Sequence, residues 1–326
     1  MLKYFRSPKF WSAEDSKIAR YLSPLSKLFS ICADIKINSI APEKAAVPVI
    51  CVGNIVLGGA GKTPTTQLVC NLLKERSFNP HIISSGYGGY LKNVVRVDLA
   101  LHSYLQVGDE ALLLADCAPT WIGRNRINSA KAAVSSGADV LVMDDGLQNN
   151  ALMKNISMLV VDSYQGFGNC RIFPAGPLRE SVESGVLRSD VVLIVGHKNE
   201  SIEERIRLVN PDIPICYSHM KIIEAPEVEN RKVLGFCGLG FPDKFKKTLT
   251  ECGYDIVDFV VFGDHHSYTI TEIQKLITAA CNANAKLVTT MKDYVKIPVV
   301  FKKDIAVVKV QLELDDEDLK KTLFKS

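Results

Sequence analysis

The apolar positions along this chain follow two different periods. Ile18, Leu22, Leu25, Phe29, Cys32 and Ile35 recur at steps of three and four, which draws a stripe along one side of a helix. Lys17, Arg20, Lys27 and Lys36 fall on polar positions, and Pro24 is expected to kink that helix or split it in two. From residue 48 the period changes. Residues 48–52 form an almost purely apolar run, a glycine-rich turn follows, and residues 65–76 place Leu68, Val69, Leu72 and Leu73 on one helical face. Short β-branched runs at 140–143, 158–161 and 191–195 have the character of parallel strands buried on both faces. Helical patterns at 110–115 and 126–136 lie between them, so the pattern predicts βαβ units.

Around residues 210–229 the text turns to proline and charge without periodicity, which predicts a junction. Beyond it, runs at 232–237, 255–262, 286–290 and 305–310 are again strand-like, separated by helical stretches. The expected fold class is α/β: a P-loop NTPase-like, mostly parallel sheet domain with a second, smaller α/β domain. The expected division is 1–40 as an amphipathic segment, 41–215 as the nucleotide-binding domain and 216–326 as the smaller domain.

Composition fits that picture without sharpening it. Of 326 residues, 47% are hydrophobic and 23% charged, enough for packed cores, and no stretch approaches the roughly 18 uninterrupted apolar residues of a spanning helix. Nine cysteines form no C-x-x-C pair and are expected to be reduced core residues of a cytosolic protein without a secretory leader. Charge does change the picture. Residues 1–37 carry seven basic against three acidic residues, and the remainder 32 against 33, so the excess positive charge lies entirely on the amphipathic segment. A basic stripe of this kind suits an anionic bilayer surface or packs on the body of the protein.

The candidate chemistry begins at Gly53, in G-N-I-V-L-G-G-A-G-K-T-P. The usual G-x-x-x-x-G-K-[ST] spacing calls for a glycine where Val56 stands. Context nevertheless supports a phosphate loop, because the turn leaves a buried strand and starts a helix whose dipole faces an anion. Gly58, Gly59, Ala60 and Gly61 supply the bend, Lys62 would neutralise phosphate, Thr63 would hold Mg²⁺, and Pro64 closes the loop. The form G-G-x-G-K-T is nearer to ParA-like loops, although Leu57 stands where those carry a lysine. Asp144 and Asp145 end an apolar run and are the expected metal carboxylates, costly together unless a cation or base neutralises them. Three further polar stretches follow strands: 84–89, 108–110, and 168–169 with 174–180. Asp264, His265 and His266 could ligate a metal, but no other ligand cluster accompanies them.

Taken in order, G-N-I-V-L-G-G-A-G-K-T-P, S-S-G-Y-G-G, V-G-D-E, D-D-G-L-Q, G-N-C-R-I-F-P-A-G-P-L-R-E, F-G-D-H-H-S-Y-T and T-T-M-K-D-Y-V-K resemble the tetraacyldisaccharide 4'-kinase family over about residues 50–297. Ser85, Leu147, Cys170 and Gly263 depart from its pattern, where arginine, an aromatic, glycine and proline are usual. The resemblance implies γ-phosphate transfer from ATP, with Mg²⁺, to the 4'-hydroxyl of a tetraacylated glucosamine disaccharide 1-phosphate in lipid A biosynthesis. It implies Asp109 as the base paired with His265, which would orient it and relay the proton, and Lys62 and Asp145 as further catalytic groups. Tyr87, Glu110, Gln148, Asn169, Arg179 and Glu180 would meet the substrate. The implied partners are the lipid disaccharide and, through the N-terminal helix, the anionic cytoplasmic face of the inner membrane, with no nucleic acid and no protein partner. The alternative left by the residues alone is a ParA-like ATPase switch at the membrane.

Overall fold

The computed structural model describes residues 8–13, 15–38, 40–315 and 317–324; Lys3, Arg6 and Glu14 and the side chain of Lys36, counted above in the basic segment, lie outside the description. A 3-10 turn (Lys9–Trp11) precedes α1 (Lys17–Asn38). Then follow β1 (Val49–Gly53), α2 (Lys62–Glu75), β2 (Pro80–Ser84), β3 (Val95–Arg96), α3 (Tyr104–Val107), α4 (Asp109–Cys117), β4 (Thr120–Ile122), α5 (Arg126–Ser135), β5 (Val140–Asp144), β6 (Ile156–Asp162), α6 (Val182–Leu187), β7 (Val191–Val195), α7 (Glu200–Arg207) and β8 (Ile215–Glu224). The remainder is β9 (Lys232–Cys237), α8 (Pro242–Glu251), β10 (Asp255–Val261), α9 (Ile270–Asn282), β11 (Lys286–Thr290), α10 (Met291–Tyr294), β12 (Ile305–Leu314) and α11 (Asp318–Leu323).

All twelve strands form one sheet in the order β10-β9-β11-β12-β8-β7-β6-β1-β5-β2-β4-β3. The apolar runs expected to be parallel strands are: β5, β1, β6 and β7 pair in parallel with every residue of β1, β5 and β7 buried. The segment read as a junction is different. It contains β8, which pairs in parallel with β7 through residues 215–218 and antiparallel with β12 through 218–224. Its second half is mostly exposed and mixes Lys221 and Glu224 with Met220, Ile222 and Ile223, so neither strand period shows in the sequence.

This seam decides where the site lies. β12 pairs with β11 through 305–308 and with β8 through 309–314. The parallel block β9–β12 is therefore reversed and offset past the carboxyl edge of the parallel block around β1. The strand ends of the two blocks face each other. The last turn of the chain also crosses back: Leu312, Leu319 and Leu323, assigned above to the smaller unit, pack in one core with Leu68, Leu72, Val191 and Leu193.

α1 is a single helix through Pro24, rather than two; the carbonyl that Pro24 leaves unpaired is that of the exposed Arg20, within reach of water. Its docking face is small and polar. Ala19 is buried, Ser26 Oγ donates to Ile172 O at 2.7 Å and accepts from Ala175 N at 3.1 Å, and Arg171 reaches Ser23 Oγ at 3.2 Å. The apolar stripe faces outward, with Ile18, Leu25 and Ile35 56%, 54% and 65% exposed. All nine cysteines are free, but only Cys51, Cys70, Cys216 and Cys237 are buried, and Cys32 and Cys281 are exposed; the expectation of uniformly buried thiols is corrected.

Candidate active site

The glycine turn between β1 and α2 has the geometry of a phosphate cradle. Gly61 caps α2 in the left-handed conformation, φ +86°, with no side-chain cap, so the first amides of the helix are left for an anion. A Cβ at Gly61 would lie 3.3 Å from Val195, and a side chain there would also strain the backbone. Val56 stands in place of a glycine because it is core: it is buried and bridges Leu178. Asn54, fully buried, donates to Val56 O at 2.8 Å and accepts from Lys62 Nζ at 3.3 Å. It thereby ties the loop to its own lysine. Thr63 and Pro64 lie in the first turn of α2.

The two acids at the end of β5 part company. Asp144 is buried and accepts from Thr66 Oγ1 at 3.1 Å and Ser84 Oγ at 3.4 Å. Burial, with the charges of Glu110 and Asp145, pushes its carboxyl up to about 7, against the pull of Lys62 and the Thr66 bond. Asp145, held at φ +47°, pairs with Arg179 at 2.9 Å and Lys62 at 3.7 Å. Burial would raise its carboxyl, but these cations outweigh it and hold it below the usual range. A buried carboxylate in excess of its cations is an environment that Mg²⁺ relieves, so the residues fit that ion. Among the described residues no three His, Cys, Asp or Glu side chains form a metal cage, in keeping with an ion that takes most of its octahedron from phosphate and water. That includes Asp264, His265 and His266.

Opposite stands the pair expected from the resemblance. α4 starts at Asp109 after Gly108, whose φ is +91°. Asp109 Oδ1 accepts from the Glu110 amide at 3.0 Å, and Oδ2 lies 2.8 Å from His265 Nδ1. Burial works to raise the Asp109 carboxyl; the His265 bond, with Lys292 and Lys296, outweighs it and holds it below the usual range. His265 comes from the loop after β10, at φ +56°, so the contact crosses between the two strand blocks. Tyr87 lies edge-on to its ring at 6.0 Å. A second crossing joins Lys244 to Asp162 and Tyr164 to Phe241.

The other expected substrate residues divide. Glu110 is half-buried and its charge acts on both Asp144 and Lys292. Arg179 reaches Gln148 Oε1 at 3.2 Å, and Gln148 donates to Glu180 and to Asn54 O, both at 2.8 Å. Asn169 is buried, donates to Phe10 O and Ala175 O, and accepts from Arg171 N. Its amide is spent on the loop that receives α1. Cys170, where glycine is usual, has φ +56°, a conformation that glycine adopts without strain.

The residue reading missed Asn54, Thr66, Lys292 and Lys296. Lys296 is buried, 3.1 Å from Asp293 and 4.0 Å from Asp109. Lys292 and Lys296 follow the strand-like run at 286–290, at the end of a strand where α/β folds keep their sites, but nothing local in the sequence names Asp109 as the group they serve.

The family model described as tetraacyldisaccharide-1-P 4'-kinase matches residues 18–326. A Paramagnetospirillum magneticum protein named tetraacyldisaccharide 4'-kinase is 39% identical over 322 residues, covering 98% of each chain. One of the same name from Parvibaculum lavamentivorans is 40% identical over 298 residues, 90% of this chain and 86% of that one. The crystal structure of LpxK from Aquifex aeolicus in complex with ATP shares the fold with a TM-score of 0.75 at 24% identity, over 94% of this chain and 99% of that one. With the phosphate loop, the paired acids and the Asp109–His265 contact all carried inside the matched span, the chain belongs to the tetraacyldisaccharide-1-P 4'-kinase family.

Proposed function

We propose that this protein transfers the γ-phosphoryl group of ATP to the 4'-hydroxyl of a tetraacyl glucosamine disaccharide 1-phosphate, the last phosphate of lipid IVA. The observation that carries the reading is the Asp109–His265 contact of 2.8 Å, formed across the cleft from the phosphate loop. A sugar hydroxyl is a poor nucleophile until its proton has somewhere to go. Asp109 is ionised and fixed through both oxygens, so it is placed to take that proton. Lys62 and the α2 amides bind phosphate, and Arg179 holds Asp145 in place. Mg²⁺, held by Asp144, Asp145 and Thr63, supplies charge neutralisation on the phosphates when bound. Gln148 and Glu180 brace Arg179, while Tyr87 and Glu110 line the acceptor side.

The three-part division belongs to the same reading: residues 1–40 meet the membrane, 41–215 bind nucleotide, and 216–326 complete the cleft with His265. No helix among the described residues is long and apolar enough to cross a membrane. The outward stripe of α1, with its basic residues, supports peripheral contact with an anionic cytoplasmic leaflet. The test is transfer of labelled γ-phosphate to a disaccharide lipid acceptor. Labelled lipid is the expected product. Steady ATP hydrolysis that ignores the acceptor would restore the switch ATPase.

A further inference from the structure

His265 has two ring nitrogens, and only one of them faces Asp109. The other, Nε2, meets the Nζ of Lys292 at 3.3 Å. The same Nζ lies 2.9 Å from Asp264 Oδ1. An ammonium has three donors and no lone pair. The contact is therefore a hydrogen bond only when Nε2 carries the lone pair. The single proton of the neutral ring then sits on Nδ1 and is donated to Asp109 Oδ2.

We infer that Lys292 is a positioning residue of the phosphoryl transfer: its ammonium holds His265 as the neutral Nδ1–H tautomer, committed to donating to Asp109 rather than to relaying a proton. The rate consequence rests on the kinase reading; the tautomer rests on geometry alone.

The groups that face the ring all bear on this. Asp109 accepts at Nδ1, Lys296 stands 4.0 Å behind that carboxylate, and the Tyr87 ring lies edge-on. Asp264 is the one competitor, since its Oδ2 lies 3.9 Å from Nε2 and a carboxylate there favours a proton on that nitrogen. Lys292 sits between them and pairs with Asp264 through its other oxygen. Burial works to lower the Lys292 pKa, but Asp264, Glu110 and Asp109 outweigh it and raise it, which keeps the ammonium charged. The placement is local in origin. Lys292 is the second residue of α10, whose start is fixed by Thr290 Oγ1 accepting from Asp293 N at 3.2 Å, while Asp293 accepts from Gly238 N and Tyr268 OH.

The balance of the step changes accordingly. The acceptor oxygen bonds to the γ-phosphorus, the bond from that phosphorus to the bridging oxygen of ADP breaks, and the hydroxyl proton passes to Asp109. His265 keeps its proton throughout.

The test uses full-length protein labelled with [15N]histidine, with the His265 signal identified by its absence in His265→Gln. Near neutral pH, Nδ1 is expected to be pyrrole-like and Nε2 pyridine-like. Lys292→Met should move Nε2 towards the protonated, pyrrole-like form. It should lower kcat about 10- to 100-fold, by analogy with the loss when the partner that orients a metal-ligating histidine is removed, with KM for ATP unchanged. Lys292→Arg retains a cationic donor and should recover most of both the signal and the rate. A pyrrole-like Nε2 in the wild type, or an unmoved signal in Lys292→Met, overturns the tautomer. A moved signal with an unchanged rate overturns the role in transfer. A wild type that never phosphorylates the lipid removes the kinase reading and leaves the tautomer result standing.

Discussion

Asp109 illustrates how one side chain can serve two purposes that sequence cannot separate. At the first position of α4 a carboxylate is favoured by the helix dipole, and Oδ1 does bond a helix amide; Oδ2 is nevertheless directed at His265. If the pair works as a unit, Asp109→Asn and His265→Ala should each lower kcat by about 10² to 10⁴, and the double variant should be barely worse than the worse single. Strict multiplication of the two losses in steady-state kinetics would show independent roles. Lys62→Ala should leave less than about a tenth of the rate, a barrier rise above ~1.4 kcal/mol, and should also lower the melting temperature, because Asp145 and Asn54 lose a largely buried partner. Asp144 makes a prediction about pH. Its folded-state carboxyl is raised to about 7, against about 3.9 unfolded, so its contribution to stability is present below the unfolded value and lost as pH rises through 7. Metal-free Asp144→Asn should therefore melt above the wild type at alkaline pH, with the gap closing towards mildly acidic pH. A gap that does not change with pH in calorimetry would contradict the buried, uncompensated carboxylate. Lys62 and Asp145 were legible as candidates because loop and strand-end chemistry are local, whereas the role of Asp109 came only from the family resemblance. Lys296 was not legible, because its partner Asp109 lies far off in the chain, and Lys292 was not, because it acts through His265, whose own partner is that same Asp109.

At the scale of elements, the strands around the site were legible where burial on both faces writes a continuous apolar run, as in β1, β5 and β7. β8 was hidden because one half is covered and the other is an exposed ribbon of mixed apolar and charged residues, tied to β12 by Lys221–Glu313 and Lys309–Glu224. The turn into α4 carries a sharp steric demand beside the site. A Cβ at Gly108 would lie 2.2 Å from Tyr87 O, whereas at Gly253, also at positive φ, nothing lies within 4 Å. Gly253→Ala should cost only the backbone strain, on the order of 1 kcal/mol. Gly108→Ala should cost more, because the clash adds to it, and it should also lower kcat, because the start of α4 carries Asp109 and its neighbour carries Tyr87. Equal melting temperatures for the two variants would show that the loop yields freely and does not fix the base.

For the whole molecule, the antiparallel seam explains why one chain can place a base on one block and its orienting histidine on another. The offset β8–β12 pairing turns two sets of strand ends towards a common cleft, and α1 lies outside both. α1 is held by Trp11, Ser23 and Ser26 against the loop at 168–176, so deleting it would expose that loop and confuse lost folding with lost binding. Substitution on the outward stripe avoids this. Ile18, Leu25 and Ile35 together replaced by serine should leave the melting temperature near that of the wild type, since each side chain already faces solvent. Removing them takes away apolar area that would otherwise enter the headgroup region, at about 25 cal/mol per Å². The basic residues of the segment add roughly 1 kcal/mol each at an anionic surface, within a Debye length. Flotation with anionic phosphatidylglycerol vesicles should therefore recover the wild type at low salt and less of it at high salt. The triple variant, which keeps the basic residues but loses apolar area, should be recovered less than the wild type at both. Equal recovery of the two proteins would mean that the stripe does not touch the bilayer, and that the lipid acceptor reaches the Asp109 cleft by another face.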